Sequence, residues 1–156
     1  LKRWETRGGR KSFDPRVVEA GRTAHYLAIA NEEGDLLAAV ADMDIFRSIS
    51  PDYILTRAAE SIRRARLIVV DGNLPLETFE VVLQIAREGN VPVFFEPTSV
   101  SKGKLVARSG LLNNIDFISP NELELRAMVE CLLPPDRPVA DLQLSQLFSV
   151  VLDSGV

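Results

Sequence analysis

Apolar and polar positions along the 156-residue chain change their period several times, and each change predicts an element. Two apolar runs, AHYLAIAN (24–31) and LLAAVADM (36–43), flank the Gly-containing turn EEGD, a spacing that predicts a β-hairpin. In SISPDYILTRAAESIRRAR the period becomes helical. Ser50 suits an N-cap, Pro51 the first helical position and Asp52 the positive end of the helix dipole, while Ile54, Leu55, Ala58, Ala59 and Ile62 make one apolar face. LIVVDGN is a short β-branched run ending in Asp-Gly, read as a buried strand and its loop. LPLETFEVVLQIAREGN predicts a second helix with Phe79, Val82, Leu83 and Ala86 inward and Gly89-Asn90 at its end.

The alternation continues. VPVFFEPTS predicts a buried strand running into a polar loop, SKGKLVARSGLLNN a loop or short helix, and IDFIS a third strand. PNELELRAMVECLL predicts a third helix, PPDRP a break, and VADLQLSQLFSVVLDSG a fourth helix ending at Gly155. Strands alternating with helices imply βαβ units, so the expected fold is α/β with a parallel sheet of three strands, at about 67–71, 91–96 and 115–119. Three core strands make a small doubly wound sheet, and a fourth helix should feed a further strand. The expectation is therefore an incomplete domain.

Composition changes this picture little. A hydrophobic fraction of 46% and a charged fraction of 26% are ordinary for a globular protein, no apolar run approaches the ~20 residues that span a bilayer, and the N-terminus lacks a secretory core. A single cysteine, Cys131, allows no intrachain disulfide and suits a reducing compartment. A cytoplasmic location is expected, with a mitochondrial or other organellar one as the alternative because the first residues are basic. Residues 1–22 carry seven Lys/Arg against three Asp/Glu, whereas the rest carries eleven against nineteen. A basic arm on an acidic body is one signature of nucleic-acid binding. Here the basic residues are sparse, interrupted by Gly8-Gly9 and accompanied by only two aromatics, Trp4 and Phe13, so residues 1–21 are read as a solvated, poorly ordered arm with no nucleic-acid role.

Ligands of open parallel sheets bind beyond the carboxyl ends of the strands. That rule selects the loops DGN (71–73), EPTSVSK (96–102) and SPNELE (119–124), where Asp71, Glu96 and Asn121 each follow an apolar run. Each residue also has a purely structural reading. Asp71-Gly72 is a common turn pair, Glu96 a solvated strand end, and Lys102 a solvated lysine. Asn121 and Glu124 have the spacing of a capping box. His25, the single histidine, has no partner of zinc-binding spacing, Cys131 is read as a buried small hydrophobe, and RGGR (7–10) lacks the preceding strand of a phosphate loop.

The order of these segments resembles the middle of a ribokinase-like (PfkB) carbohydrate and nucleoside kinase, from about Arg22 to Cys131. SPNELEL resembles that family's Asn-x-x-Glu motif. TAHYLAIANEEGDLLAAVADMDI, VVDGNLP and FEPTSVSKG resemble, in order, the hairpin, the D-x-N-x-P loop and the (D/E)P-x-S-x-x-K loop of the pseudouridine kinase branch. The FEPT form is similar to animal proteins in which this kinase is fused to a pseudouridine-5′-phosphate glycosidase.

The resemblance implies a three-layer α/β/α fold with a hairpin lid edge, and ATP-dependent phosphorylation of the 5′-hydroxyl of pseudouridine or a related nucleoside or sugar. It implies that Asn121 and Glu124 hold Mg²⁺, through water, beside the ATP phosphates. It places Glu96 and Lys102 near the phosphate path, with Asp71 and Asn73 bordering the small-molecule substrate. Thr23, Tyr26 and Asp42 become candidate substrate contacts from the hairpin. A homodimer of the full-length protein and a fused glycosidase domain are further implications. Residues 22–156 would be the central part of the kinase domain. The family's N-terminal sugar-binding segment has no counterpart, and no Gly-Ala-Gly-Asp sequence, which carries its general base and anion hole, occurs here. This chain alone is therefore expected to be inactive, since such groups each contribute ~10²-fold or more. A catalytically dead binding module and another PfkB sugar kinase are the competing readings.

Overall fold

The structure, a computed structural model, describes residues 17–34 and 36–156. The expected basic arm therefore lies, over residues 1–16, outside the described residues, as do Trp4 and RGGR. Residues 17–21 end in a turn in which the Gly21 N–H donates to the Val18 carbonyl at 3.0 Å.

The hairpin forms as expected. Strands β1 (His25–Ala30) and β2 (Leu36–Asp42) pair antiparallel, with a bulge between Ile29 and Ala30. Every residue of β1 is exposed, so its apolar side chains bury no face against the described residues. A 3₁₀ turn, Asp44–Ser48, leads into helix α1, which runs in three parts: Pro51–Tyr53, a π-helical Ile54–Ala58 and Ala59–Arg63. Ser50 caps it, its Oγ accepting the Tyr53 N–H at 3.2 Å. The π turn corrects the predicted face. Its wider winding concentrates the buried stripe on Ile54, Ala58, Ala59 and Ile62 and turns Leu55 outward to 54% exposure.

Three parallel strands follow in sequential order: β3 (Ile68–Asp71), β4 (Val93–Glu96) and β5 (Phe117–Ile118). Each is shorter than its predicted range. Helix α2 (Leu76–Glu88) crosses between β3 and β4. Its predicted face is buried together with Thr78, whose hydroxyl donates to the Ile49 carbonyl, and Ile85. The left-handed residue that ends this helix is Asn90 (φ 52), while Gly89 keeps helical angles. The segment left open between loop and helix is helix α3 (Val100–Ser109), capped by Ser99 and terminated by Gly110 at φ 75. Helix α4 (Glu122–Leu132) follows β5, and α5 (Leu144–Asp153) begins five residues later than the apolar pattern suggested, at a Gln143/Gln146 capping box.

The main core lies between the sheet and helices α1, α2 and α3. The rings of Phe79 and Phe95 lie at its centre, 5.2 Å apart. A smaller cluster, Leu125, Val129, Leu147 and Val151, joins α4 to α5. Cys131 is half-buried rather than buried, its thiol donating to the Ala127 carbonyl one turn back. No helix among the described residues is long and apolar enough to cross a membrane.

Candidate functional site

The register of the parallel strands decides which side chains meet. Asp71 is the partner of Glu96 across β3 and β4, so the two acidic strand ends are neighbours at one edge of the sheet. The Asp71 carboxylate is fully engaged with Asn73. Its Oδ1 accepts the Asn73 backbone N–H at 2.9 Å and its Oδ2 the Asn73 amide at 3.0 Å. This double contact aims the remaining amide oxygen of Asn73 at Lys102, whose ammonium donates to it from the first turn of α3. Lys102 is therefore not the freely solvated lysine of its structural reading.

Glu96 is also committed. Its Oε1 accepts the Thr98 N–H at 3.1 Å, and its Oε2 accepts the Ser119 hydroxyl from the end of β5. At the third strand end the capping box is complete. Asn121 Oδ1 accepts the Glu124 N–H at 2.9 Å, and Glu124 Oε2 accepts the Asn121 N–H at 3.0 Å. Asn121 is exposed at the rim and Glu124 is only 5% exposed.

Beside the Asn73–Lys102 pair lies an open hollow of about 410 Å³, bordered also by Asp44, Phe46, Arg47 and Glu77. It holds cationic and anionic groups side by side, a lining suited to a polyhydroxylated ligand carrying or receiving a charged group. The other predicted substrate contacts lie elsewhere. Thr23 lines a more apolar hollow of about 420 Å³ with Ile45, Tyr53 and Ile54, which shares only Phe46 with the first. Asp42 is paired with Arg22 at 3.2 Å, and Tyr26 stands 58% exposed on β1. The fold thus brings Asp71, Asn73 and Lys102 into one network and sets Glu96 next to it. Among the described residues, Thr23, Tyr26 and Asp42 make no hydrogen bond or ion pair with that network.

Sequence reasoning passed over Thr98, Ser119, Asp44 and Arg47. Only Thr98 and Ser119 carried a signal, as polar residues inside the selected loops. Asp44 and Arg47 sit in a 3₁₀ turn whose position depends on tertiary packing. No three His, Cys, Asp or Glu side chains converge among the described residues. Mg²⁺ needs no such cage, since it keeps several waters and binds through one or two carboxylates.

No family model matches the chain. It is 37% identical over 112 residues to a pseudouridine kinase of Escherichia coli, covering 72% of this chain and 34% of that protein. It is 35% identical over 105 residues to a pseudouridine kinase of Arabidopsis thaliana, covering 67% and 27%. The chain thus spans about a third or less of the curated relatives it matches. A solved carbohydrate kinase from Agrobacterium tumefaciens superposes with a TM-score of 0.74 at 25% identity, covering 99% of this chain and 45% of that one.

Proposed function

Because the chain belongs to the ribokinase-like (PfkB) kinases and spans part of one, we propose that the protein carrying it transfers the γ-phosphoryl group of ATP to the 5′-hydroxyl of pseudouridine or a closely related nucleoside. The observation that carries this reading is the ordered Asp71–Asn73–Lys102 network at the carboxyl edge of the sheet, one strand from the half-buried Glu96. In this reading Asn73, held by Asp71, orients the nucleoside, and the hollow beside it receives the sugar. Lys102 presents positive charge toward the transferred group. Thr23, Tyr26 and Asp42 complete the substrate side once the hairpin covers the sugar. Phosphoryl transfer is chiefly positioning plus charge neutralisation, so a site built of fixed polar groups suits it.

Asn121 and Glu124 fit the Mg²⁺ side through water. Asn121 Oδ1 and Glu124 Oε2 serve the helix cap, and Glu124 Oε1 makes no hydrogen bond among the described residues, so an amide and a carboxylate stand at one helix start to orient the waters of the ion. Mg²⁺, when bound, neutralises charge on the ATP phosphates. No residue of this chain is assigned as the base that takes the hydroxyl proton.

One observation favours a second reading, a binding module without turnover: the capping box by itself accounts for the placement of Asn121 and Glu124. Turnover separates the two, and Glu124→Gln separates a metal-side Glu124 from a cap, because the amide oxygen still accepts the Asn121 N–H while the charge is gone. The test is Mg²⁺-dependent ATP consumption by the intact protein with pseudouridine, uridine and ribose. The expected result is turnover best with pseudouridine, and a roughly 10-fold higher Mg²⁺ requirement in Glu124→Gln, the lower end of effects of outer-shell ligands, at unchanged stability. Inertness with all three compounds overturns the kinase reading. Turnover with an unchanged Mg²⁺ requirement reduces Asn121 and Glu124 to a cap.

A further inference from the structure

Among the described residues only Asn90 and Thr98 combine a side chain with a positive φ. Asn tolerates that region, whereas a β-branched residue there is strained. Thr98, at φ 68, is held by a tight turn in which the Ser99 N–H donates to the Pro97 carbonyl at 2.8 Å. Three-residue turns of this hand are rare and unfavourable. Strain of this kind persists only where its surroundings over-determine it.

Those surroundings are unusually complete. The Thr98 N–H donates to Glu96 Oε1 at 3.1 Å. The Gly72 N–H, in the loop after β3, is shared between Thr98 Oγ1 at 3.1 Å and the Glu96 carbonyl at 2.8 Å. A Cβ on Gly72 would lie 2.4 Å from the Pro97 carbonyl oxygen, so the two loops touch backbone to backbone. On the other side the Ser119 hydroxyl donates to Glu96 Oε2. Glu96 sits on the middle strand, and through it and Thr98 the loops after β3, β4 and β5 are joined. Asn73 lies one residue beyond Gly72, Asn121 two beyond Ser119, and Lys102 in the helix that Ser99 caps.

We infer that Glu96 and Thr98 form a latch that sets the substrate-side loop, the Lys102 helix and the Asn121 loop relative to one another. Both act as positioning residues and neither contacts phosphate. A carboxylate facing the phosphate path would repel the anion it serves. One whose two oxygens are both occupied by neighbouring donors, one of them a backbone amide, serves the scaffold instead. The inference rests on the kinase reading for its effect on rate but not for its structural content.

The experiment uses the intact protein with Glu96→Gln, Thr98→Gly and Thr98→Ser, read by amide hydrogen exchange and by steady-state kinetics. Thr98→Gly relieves the strained φ but removes Oγ1, whereas Thr98→Ser keeps the hydroxyl. The expected result is faster exchange in both 71–74 and 119–124 for Glu96→Gln, faster exchange in 71–74 for Thr98→Gly, and wild-type exchange for Thr98→Ser. In turnover, kcat falls about 10-fold or more in Glu96→Gln and Thr98→Gly, as misplaced reacting groups predict. The KM for ATP and the Mg²⁺ requirement stay within about twofold, a split that loss of a phosphate ligand does not give, and thermal midpoints near the wild-type value exclude simple loss of folded protein. Exchange changes confined to 96–99 overturn the latch. A raised KM for ATP in Glu96→Gln overturns the positioning role and returns Glu96 to the phosphate path. Should the wild-type protein prove inert with every substrate, the exchange pattern still decides the latch.

Discussion

Asn121 and Glu124 show how far a single spacing can be read. An Asn three residues before a Glu at the start of an apolar helical pattern predicts reciprocal hydrogen bonds, and both are present. That much follows from local geometry, because the partners are three residues apart. Lys102 and Asn73 are 29 residues apart, and no local rule pairs them. Glu96 was legible as a polar strand end but not as an acceptor for Ser119, 23 residues on. At this scale one titration is predictable. The Lys104 ammonium, 2.6 Å from Glu130, hydrogen-bonds to it and holds its carboxyl below the usual carboxylate range, with Arg108 adding a smaller pull. A carboxyl with a depressed folded-state pKa stabilises the fold above its unfolded pKa, and the contribution is lost as pH falls through the depressed value. Thermal midpoints followed from about pH 6 down to about pH 3, across the carboxylate range, are therefore expected to fall less steeply in Glu130→Gln than in wild type. Because Glu130 is exposed, added salt is expected to bring the two curves together. Parallel curves at low salt would show that the pair contributes nothing.

At the scale of elements, long periodic stretches were readable and short or irregular ones were not. The apolar period of α2 predicts its inner face because the helix buries one stripe against the sheet. The π turn in α1 escaped, since it changes the winding without changing composition. The α3 segment was ambiguous because its Lys, Gly, Arg and Ser residues dilute the apolar stripe, and packing decides it. Gly103 in α3 faces Met128 in α4. A Cβ there would lie 3.1 Å from Met128 Cγ and 3.4 Å from Pro97 Cβ, with Met128 itself fully buried. Two effects oppose each other in Gly103→Ala. Helix propensity favours Ala by roughly 0.5–1 kcal/mol, whereas overpacking a filled core costs about 1–3 kcal/mol. A net loss of about 1 kcal/mol is expected in urea unfolding, by the difference of those two terms. In a Met128→Ala background the clash is gone and the same substitution is expected to stabilise. An equal effect in both backgrounds would mean that the helices are not set by this contact.

For the molecule as a whole, the hairpin is the conspicuous feature. Tyr26, Leu27, Ile29, Leu37 and Val40 are each more than half exposed on a two-stranded sheet that buries neither face against the described residues. Contiguous apolar surface of this kind drives association. The 156-residue chain on its own is expected to show concentration-dependent assembly in sedimentation velocity, and Leu27→Lys with Val40→Lys is expected to suppress it. A monodisperse wild-type chain would overturn this. The sequence by itself determined the order of the strands and of helices α1, α2, α4 and α5, the caps at Ser50 and Asn121, and the polar residues at the carboxyl ends of the strands. Those depend on side-chain period and on neighbours within one turn. Only the tertiary structure decided that Asn73 meets Lys102, that Glu96 bridges two neighbouring loops, and that Thr23, Tyr26 and Asp42 stand apart from that network. Such contacts follow from parallel register and helix packing, which join residues more than twenty positions apart and leave no mark in any local pattern.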